Sequence, residues 1–392
     1  MGLKPLGRLA FLLAVVLTAY LTPLPAQAQG GGIQVLDETY SYTFAQQAIF
    51  EIEIEGSLVE ANLIYTVEGE IGQKFQRAEI VGGRARAEVS LTSGQIPPAS
   101  EVSYFWRIGD SRGQVLRTQE QSFRYLDQRF SWKSKTEDDV TVFWYGRDQF
   151  GDQLLSQTER SLAVIEDRLR ISQSQPVRIV VYQNWNDMRP AVVERWGENQ
   201  VVSLGVAMNA QTAVLFLHGS WERTLTHELT HVLTSQFTEG PYSRLPFWLS
   251  EGLATYTEGG VRNGTQNPLS IGLLSSGPTR KEDIDPAYAQ AQSLVTFLIR
   301  EHGGSANIRS LLATIAQGVT IDDALNAVYG FDRQGLERQW REWIGEPTEE
   351  VPPSAPDRPQ LLTMIVISGL ILLLSLVMLV VLLITLFKKP AS

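Results

Sequence analysis

The chain has 392 residues, 43% hydrophobic and 19% charged, with no cysteine and a formal net charge of −10. That length allows two or three domains with real cores. The acidic balance excludes non-specific attraction to nucleic acid or to an anionic membrane surface. The missing cysteines exclude disulfide frameworks, thiol catalysis and thiolate metal ligands, so any metal falls to His, Asp or Glu.

In chain order, residues 1–28 read as a signal peptide: Lys4 and Arg8, an apolar stretch from Leu9 to Leu21, then Pro23, Pro25 and Ala26-Gln27-Ala28. Its removal would take the charge to −12 through the loss of Lys4 and Arg8. A cysteine-free exported chain fits a bacterial envelope.

Residues 33–127 predict strands throughout. Phe50-Glu51-Ile52-Glu53-Ile54 alternates apolar with charged, and Tyr104, Trp106 and Ile108 share one strand face. Turn signals such as Val81-Gly82-Gly83 and Gly109–Gly113 divide the run. About seven short strands in this stretch predict an immunoglobulin- or fibronectin-like β-sandwich, with a spacer, docking or substrate-recruiting role.

Residues 128–345 mix elements. Strands are predicted at Val140–Tyr145, Val177–Tyr182, Val201–Val206 and Thr212–Leu217, and a helix over Gln153–Arg170; from Arg244 onward the pattern is helical. Strands first and helices later make the fold class α+β. Residues 346–360 hold five prolines in fifteen and predict an extended stalk. Residues 361–387 carry no charge and precede Lys388-Lys389. They predict a single C-terminal transmembrane helix with 388–392 as a cytoplasmic tail, hence a single-pass protein of the cell membrane whose ectodomain faces away from the cytoplasm.

The stretch WERTLTHELTHVLTSQF, 221–237, holds two of the chain's four histidines. Ser220 can start a helix there, with Glu222 suited to its N-terminal dipole and Leu225, Leu229, Val232 and Leu233 as its buried stripe. His227 and His231 stand at i and i+4, one turn apart on one face, where two imidazole nitrogens can share a zinc ion. Glu228 stands one step round, placed for a water on the metal rather than for the metal itself. The plainer reading is a helix with two solvated or packed histidines. Chance produces His-Glu-x-x-His in only a few chains per thousand, on the order of magnitude set by this composition. A third ligand is on offer with nineteen residues between it and His231: Glu251, in FWLSEGLATYTEGG at 247–260. Three ligands leave a fourth position open, as a catalytic zinc requires.

His227-Glu228-x-x-His231 followed by Trp248-Leu249-Ser250-Glu251-Gly252 resembles the gluzincin metallopeptidases, in particular the bacterial peptidase-MA-like family. The likeness is specific over residues 200–260 and looser over 130–345, where AYAQAQSLVTFLIREHG (287–303) takes part. It implies one zinc per chain on His227, His231 and Glu251, with Glu228 as general base. It also implies a peptide or protein substrate bound along a sheet edge, for which Thr212–Leu217 is the natural segment. The residues depart from better-known gluzincins at Thr255, where some carry an Asp that orients a ligand histidine; a backbone carbonyl or Glu258 could serve instead. Tyr242, Tyr256 and Tyr288 are open as oxyanion donors, with Tyr288 favoured because it lies in the resembling segment. The lack of an acidic amine-binding motif near the zinc helix favours an endopeptidase. The alternative from another class is a surface adhesion or scaffold protein with a degenerate peptidase domain. His218 and His302 read as packing or helix-end residues, and Asn263-Gly264-Thr265 as a surface turn.

Overall fold

The computed structural model describes residues 33–192, 204–239, 244–260, 262 and 268–346. It divides into two compact units, one formed by residues 1–163 and 173–236, the other by 164–172 and 237–392.

The first unit begins with β1 (Gln34–Thr43), β2 (Gln47–Glu55), β3 (Leu58–Val67), β4 (Lys74–Arg77), β5 (Glu79–Val81), β6 (Arg84–Ser90), β7 (Glu101–Asp110), β8 (Val115–Arg117) and β9 (Gln121–Arg124). One sheet runs β1-β2-β6-β5; the other runs β4-β3-β7-β8, with β9 also on β7. All pairings are antiparallel. This is the immunoglobulin division into an A-B-E-D sheet facing a C-F-G sheet. Period two decides which side chains go inside: Phe50, Ile52 and Ile54 are buried, as are Tyr104, Trp106 and Ile108. Glu51 and Glu53, on the other face of β2, meet Arg86 and Arg84 of β6 at 3.0 and 2.8 Å. Nine strands stand where about seven were expected, because β5 and β8 have three residues each and show no period to read.

A third sheet follows, built from β10 (Lys133–Glu137), β11 (Val140–Trp144), β12 (Val177–Tyr182), β13 (Gly205–Ala207) and β14 (Thr212–Phe216) in the order β10-β11-β12-β14-β13. The inner pairs β11·β12 and β12·β14 are parallel, which needs crossovers. These are α1 (Phe150–Leu169) and the stretch containing α2 (Trp185–Met188), whose cap Asn184 accepts from the Asp187 N–H at 3.1 Å. Phe143, Val180, Tyr182, Val214 and Phe216 join the same hydrophobic core as the sandwich residues Phe44, Phe123 and Tyr125. The sandwich and this sheet are therefore packed as one body, which the strand pattern alone did not indicate. α3 (Trp221–Phe237) completes the described helices of the unit.

The second unit is helical: α4 (Phe247–Glu258), α5 (Ile271–Leu274), α6 (Ile284–Glu301), α7 (Gly304–Ile315), α8 (Ile321–Tyr329) and α9 (Arg333–Trp343), with the end of α1. α4 lies against α6 through small residues. A Cβ on Gly252 would come within 2.4 Å of the Ala291 carbonyl oxygen and 2.6 Å of Val295 Cγ2. Arg168, in the last turn of α1, donates to the carbonyls of Tyr256 and Thr257 at 2.7 and 3.1 Å, satisfying the end of α4. Two buried glutamines of α6 do the same for loops. Gln290 closes a pair of hydrogen bonds with the Leu269 backbone at 2.7 and 3.0 Å. Gln292 donates to the carbonyls of Thr255 and Gly260 at 2.9 and 3.0 Å and accepts from the Arg262 N–H at 2.9 Å.

The C-terminal transmembrane helix, and with it the single-pass membrane localisation and the membrane as a partner, is corrected here. Among the described residues no helix is long and apolar enough to cross a membrane. The longest, α1 with 20 residues, carries Asp152, Glu159, Arg160, Glu166, Asp167 and Arg168 along its length. Residues 361–387, the signal segment 1–28, and the stalk beyond Glu346 lie outside the described residues.

Gln292→Leu should destabilise the protein by about 1–3 kcal/mol, since it strands buried backbone groups without changing side-chain volume much. The urea midpoint should fall at unchanged m-value; an unmoved midpoint would mean that water serves those groups equally well.

Candidate metal centre

α3 starts directly after Ser220, whose carbonyl accepts from the Arg223 and Thr224 N–H groups at 3.1 and 3.2 Å. His218 precedes it and is tied by Nε2 to Thr224 Oγ1 at 3.0 Å. Burial pulls the His218 pKa below its ordinary value, against an upward pull from Glu222, so the ring is neutral at pH 7. His302 sits just past α6 and packs on Phe297 and Phe331. Both are structural histidines, as their sequence context suggests.

Leu225, Leu229, Val232 and Leu233 are buried, and so are Thr226, Thr230 and Thr234. The threonines hide their hydroxyls on their own helix: Thr230 and Thr234 donate to the carbonyls four residues back at 2.8 and 2.7 Å. Thr226 adds a contact to Ser161 Oγ of α1 at 2.8 Å. At the far end Gln236 accepts from the Ser174 and Gln175 N–H groups at 2.9 and 3.2 Å. A helix clamped along its length holds its remaining polar side chains in fixed directions.

Those side chains are His227, Glu228 and His231. The Nε2 atoms of His227 and His231 are 3.2 Å apart, with ring centroids at 4.9 Å. Two nitrogens each about 2.05 Å from one tetrahedral zinc would be roughly 3.3 Å apart. The pair therefore has the spacing that a shared ion demands. Glu251, on α4, completes the group: His227, His231 and Glu251 each offer one ligand atom, and these lie within 4.8 Å of one another. Two neutral imidazoles and a carboxylate form a donor set that suits zinc.

Glu228 is 7% exposed and is held by β13, which begins within the strand expected at Val201–Val206. Its Oε2 accepts from the Ala207 N–H of β13 at 2.7 Å. Room for it comes from Gly205, where a Cβ would fall 2.7 Å from Glu228 Cγ and 2.9 Å from Thr224 Cγ2. β13, not Thr212–Leu217, is the edge of the sheet: β14 pairs on both sides, with β12 and with β13. In that pairing Met208 N donates to Thr212 O and Phe216 N to Leu204 O. By alternation the backbone groups of Gly205 and Ala207 face away from β14. The sequence indicates a strand on either side of Asn209-Ala210 but carries no sign of which of the two lies outermost.

The remaining expectations fall as follows. Thr255 is buried and bonds back to the Glu251 and Gly252 carbonyls at 2.6 and 3.2 Å. Glu258 pairs with Arg262 at 3.0 Å. Tyr288 packs edge-on against Phe247 at 5.4 Å between centroids, and the Arg262 guanidinium lies 5.4 Å from its ring. Phe247 and Glu251 are i and i+4, so Tyr288 lies along the face of α4 that carries the carboxylate. Tyr256 has the Arg168 guanidinium 5.8 Å from its ring, and Tyr242 lies outside the described residues.

His227, His231 and Glu251 are thus a group that could hold a metal ion. The family model of the peptidase MA superfamily matches residues 158–346, which supports a gluzincin-like peptidase family and suggests a peptidase-like function for that stretch. No curated protein matches the chain. Among solved structures, a family 56 carbohydrate-binding module that binds β-1,3-glucan is 14% identical, over 24% of this chain and 100% of its own, at a TM-score of 0.19. The third fibronectin III domain of the human KIAA0343 protein is 12% identical, over 24% of this chain and 81% of its own, at 0.20. Likenesses this weak say nothing about what the chain does.

Gly252→Ala should weaken metal binding by roughly 10–100-fold, the range for residues that support a ligand. The added methyl meets a backbone oxygen of α6 and must push α4, and Glu251 with it. Competition against a chelator measures the change; wild-type affinity would show that α4 shifts without moving the carboxylate.

Proposed function

We propose that this chain is a zinc metallopeptidase of the gluzincin type that hydrolyses peptide bonds in peptide or protein substrates. His227, His231 and Glu251 hold one zinc per chain, and Glu228 is the general base. The observation that carries the reading is the 3.2 Å pair of imidazole nitrogens beside a carboxylate fixed to a sheet edge. Bound zinc supplies a Lewis acid that polarises the scissile carbonyl and makes water acidic enough to give up a proton near neutral pH.

The chain's own residues do the rest. Glu228 receives that proton on its carboxylate and returns it to the leaving amine. The Ala207 N–H holds the carboxylate in one orientation throughout, so little reorganisation is needed during the reaction. An extended peptide laid beside β13 would meet the Ala207 carbonyl, since the Ala207 N–H is already given to Glu228. Such binding grips main chain rather than a terminus, which supports endopeptidase action. Tyr288 is the proposed donor to the oxyanion, on the strength of its place beside the Glu251 face of α4. The division into a sandwich at 33–127 and a peptidase domain at 128–345 is part of the same proposal.

Purified chain and Glu228→Gln should both retain one zinc by mass spectrometry, while cleavage of a mixed peptide library falls by roughly 10²–10⁴-fold in the variant. Zinc without cleavage in either protein would leave the degenerate scaffold; no zinc in either would end the metal reading. Tyr288→Phe should lower kcat by about 10²–10³-fold with KM little changed. Unaltered turnover would remove Tyr288 from the mechanism and leave it as packing for Phe247.

A further inference from the structure

β13 has three residues and, among the described residues, a neighbour strand on one side only. Its position, and so that of the Ala207 N–H, depends on what holds the β13–β14 hairpin. Within the hairpin, Asn209 Oδ1 accepts from the Gln211 and Thr212 N–H groups at 2.9 and 2.8 Å. From α3, Gln236 Nε2 donates to the Ala210 carbonyl at 2.7 Å. From β12, the Arg178 N–H donates to the Gln211 carbonyl at 2.7 Å, and its guanidinium reaches Gln211 Oε1 at 3.0 Å and Thr212 Oγ1 at 3.3 Å.

Arg178 is 4% exposed, a cation in an otherwise apolar strand. Burial pulls its pKa down, opposed chiefly by Glu68 and further by Glu101. Glu68 Oε1 lies 2.5 Å from Arg178 Nη1. That carboxylate belongs to the sandwich, in the turn after β3. Its Oε2 is fixed there by the Glu101 N–H at 3.0 Å and by Arg124 at 3.3 Å. The next residue, Gly69, has φ +82, and a Cβ on it would stand 2.6 Å from Asn209 Nδ2 and 3.2 Å from Gln211 Oε1. The sandwich turn is thus pressed onto the tip of the hairpin and neutralises the buried cation that grips it.

We propose that the sandwich braces the catalytic edge strand, with Glu68 and Arg178 as positioning residues for Glu228. The link runs from Glu68 through Arg178 to Gln211 and Thr212, along β13 to the Ala207 N–H, and so to the carboxylate. The inference rests on the reading of Glu228 as general base, and it gives the sandwich a part in turnover rather than a free recruiting role. Removing Glu68 leaves a buried cation uncompensated, and the least costly relief is for the hairpin to open and hydrate it.

The test uses the full chain and Glu68→Ala, with Glu68→Gln as a second variant that keeps a hydrogen-bonding group without the charge and keeps the test open if Glu68→Ala fails to fold. Two quantities are read: hydrogen exchange of the amides at 205–212, and kcat and KM at measured zinc content. In Glu68→Ala the Ala207 amide should exchange at least about tenfold faster and kcat should fall by about tenfold, with zinc content and KM held. α6 amides should keep their protection in both variants, and Glu68→Gln should fall between Glu68→Ala and the natural chain. Ala207 exchange and kcat at natural values in Glu68→Ala would overturn the brace. If the natural chain cleaves nothing, the peptidase reading fails on that result, while the exchange data still decide whether the sandwich holds β13.

Discussion

The hydrogen bond from the Ala207 N–H to Glu228 Oε2 is the interaction on which the reading of this molecule depends. It joins a helix that presents imidazoles to a strand that presents backbone. It also sets where a carboxylate sits while buried. A buried carboxylate needs partners to remain charged, and one edge N–H supplies a charge-assisted bond without adding a competing side chain. Gly205 is the other half of the same arrangement, since the space a side chain would take is used by Glu228 and Thr224. The edge strand therefore contributes by what it lacks as well as by what it donates.

α4 shows a comparable economy. A glycine inside a helix costs about 1 kcal/mol relative to alanine. Gly252 offsets that by letting α4 approach the α6 backbone closely, next to the residue that bears a ligand carboxylate. The alanines of α6 serve this contact, and its two buried glutamines hold the flanking loops, so, apart from Tyr288, AYAQAQ reads as a packing code. Tyr288, in the same run, is the member that turns toward the Glu251 face.

How much of this the sequence shows depends on whether a feature is local. His227, Glu228 and His231 are visible because a helix repeats every 3.6 residues, and i, i+4 spacing is its direct imprint. Phe50 to Ile54 and Tyr104 to Ile108 show the sandwich faces because strands alternate. Strand order has no such imprint. Thr212–Phe216, a threonine followed by four apolar residues, reads equally well as an edge or an interior strand, and the edge lies instead at β13. Gly252 could have been found, since a mid-helix glycine asks for a packing reason. The transmembrane expectation came from composition at 361–387, outside the described residues, and no described helix supports it.

Arg178 is the sharpest case of a local signal with a distant cause. Within VRIVVY an arginine breaks an apolar run, and alternation would send it to solvent. Every residue of β12 is buried, so this cation has no water to turn to. A charge persists in such a place only with a partner, and the partner lies in another layer of the fold, at Glu68. A hydrophobic residue at 178 would pack without cost, and buried ion pairs often add little net stability. What the pair does supply is direction: the planar guanidinium binds a sandwich carboxylate on one side and two hairpin side chains on another, and so fixes their relative position. For a three-residue edge strand whose Ala207 N–H must meet one carboxylate oxygen, direction is the property that matters.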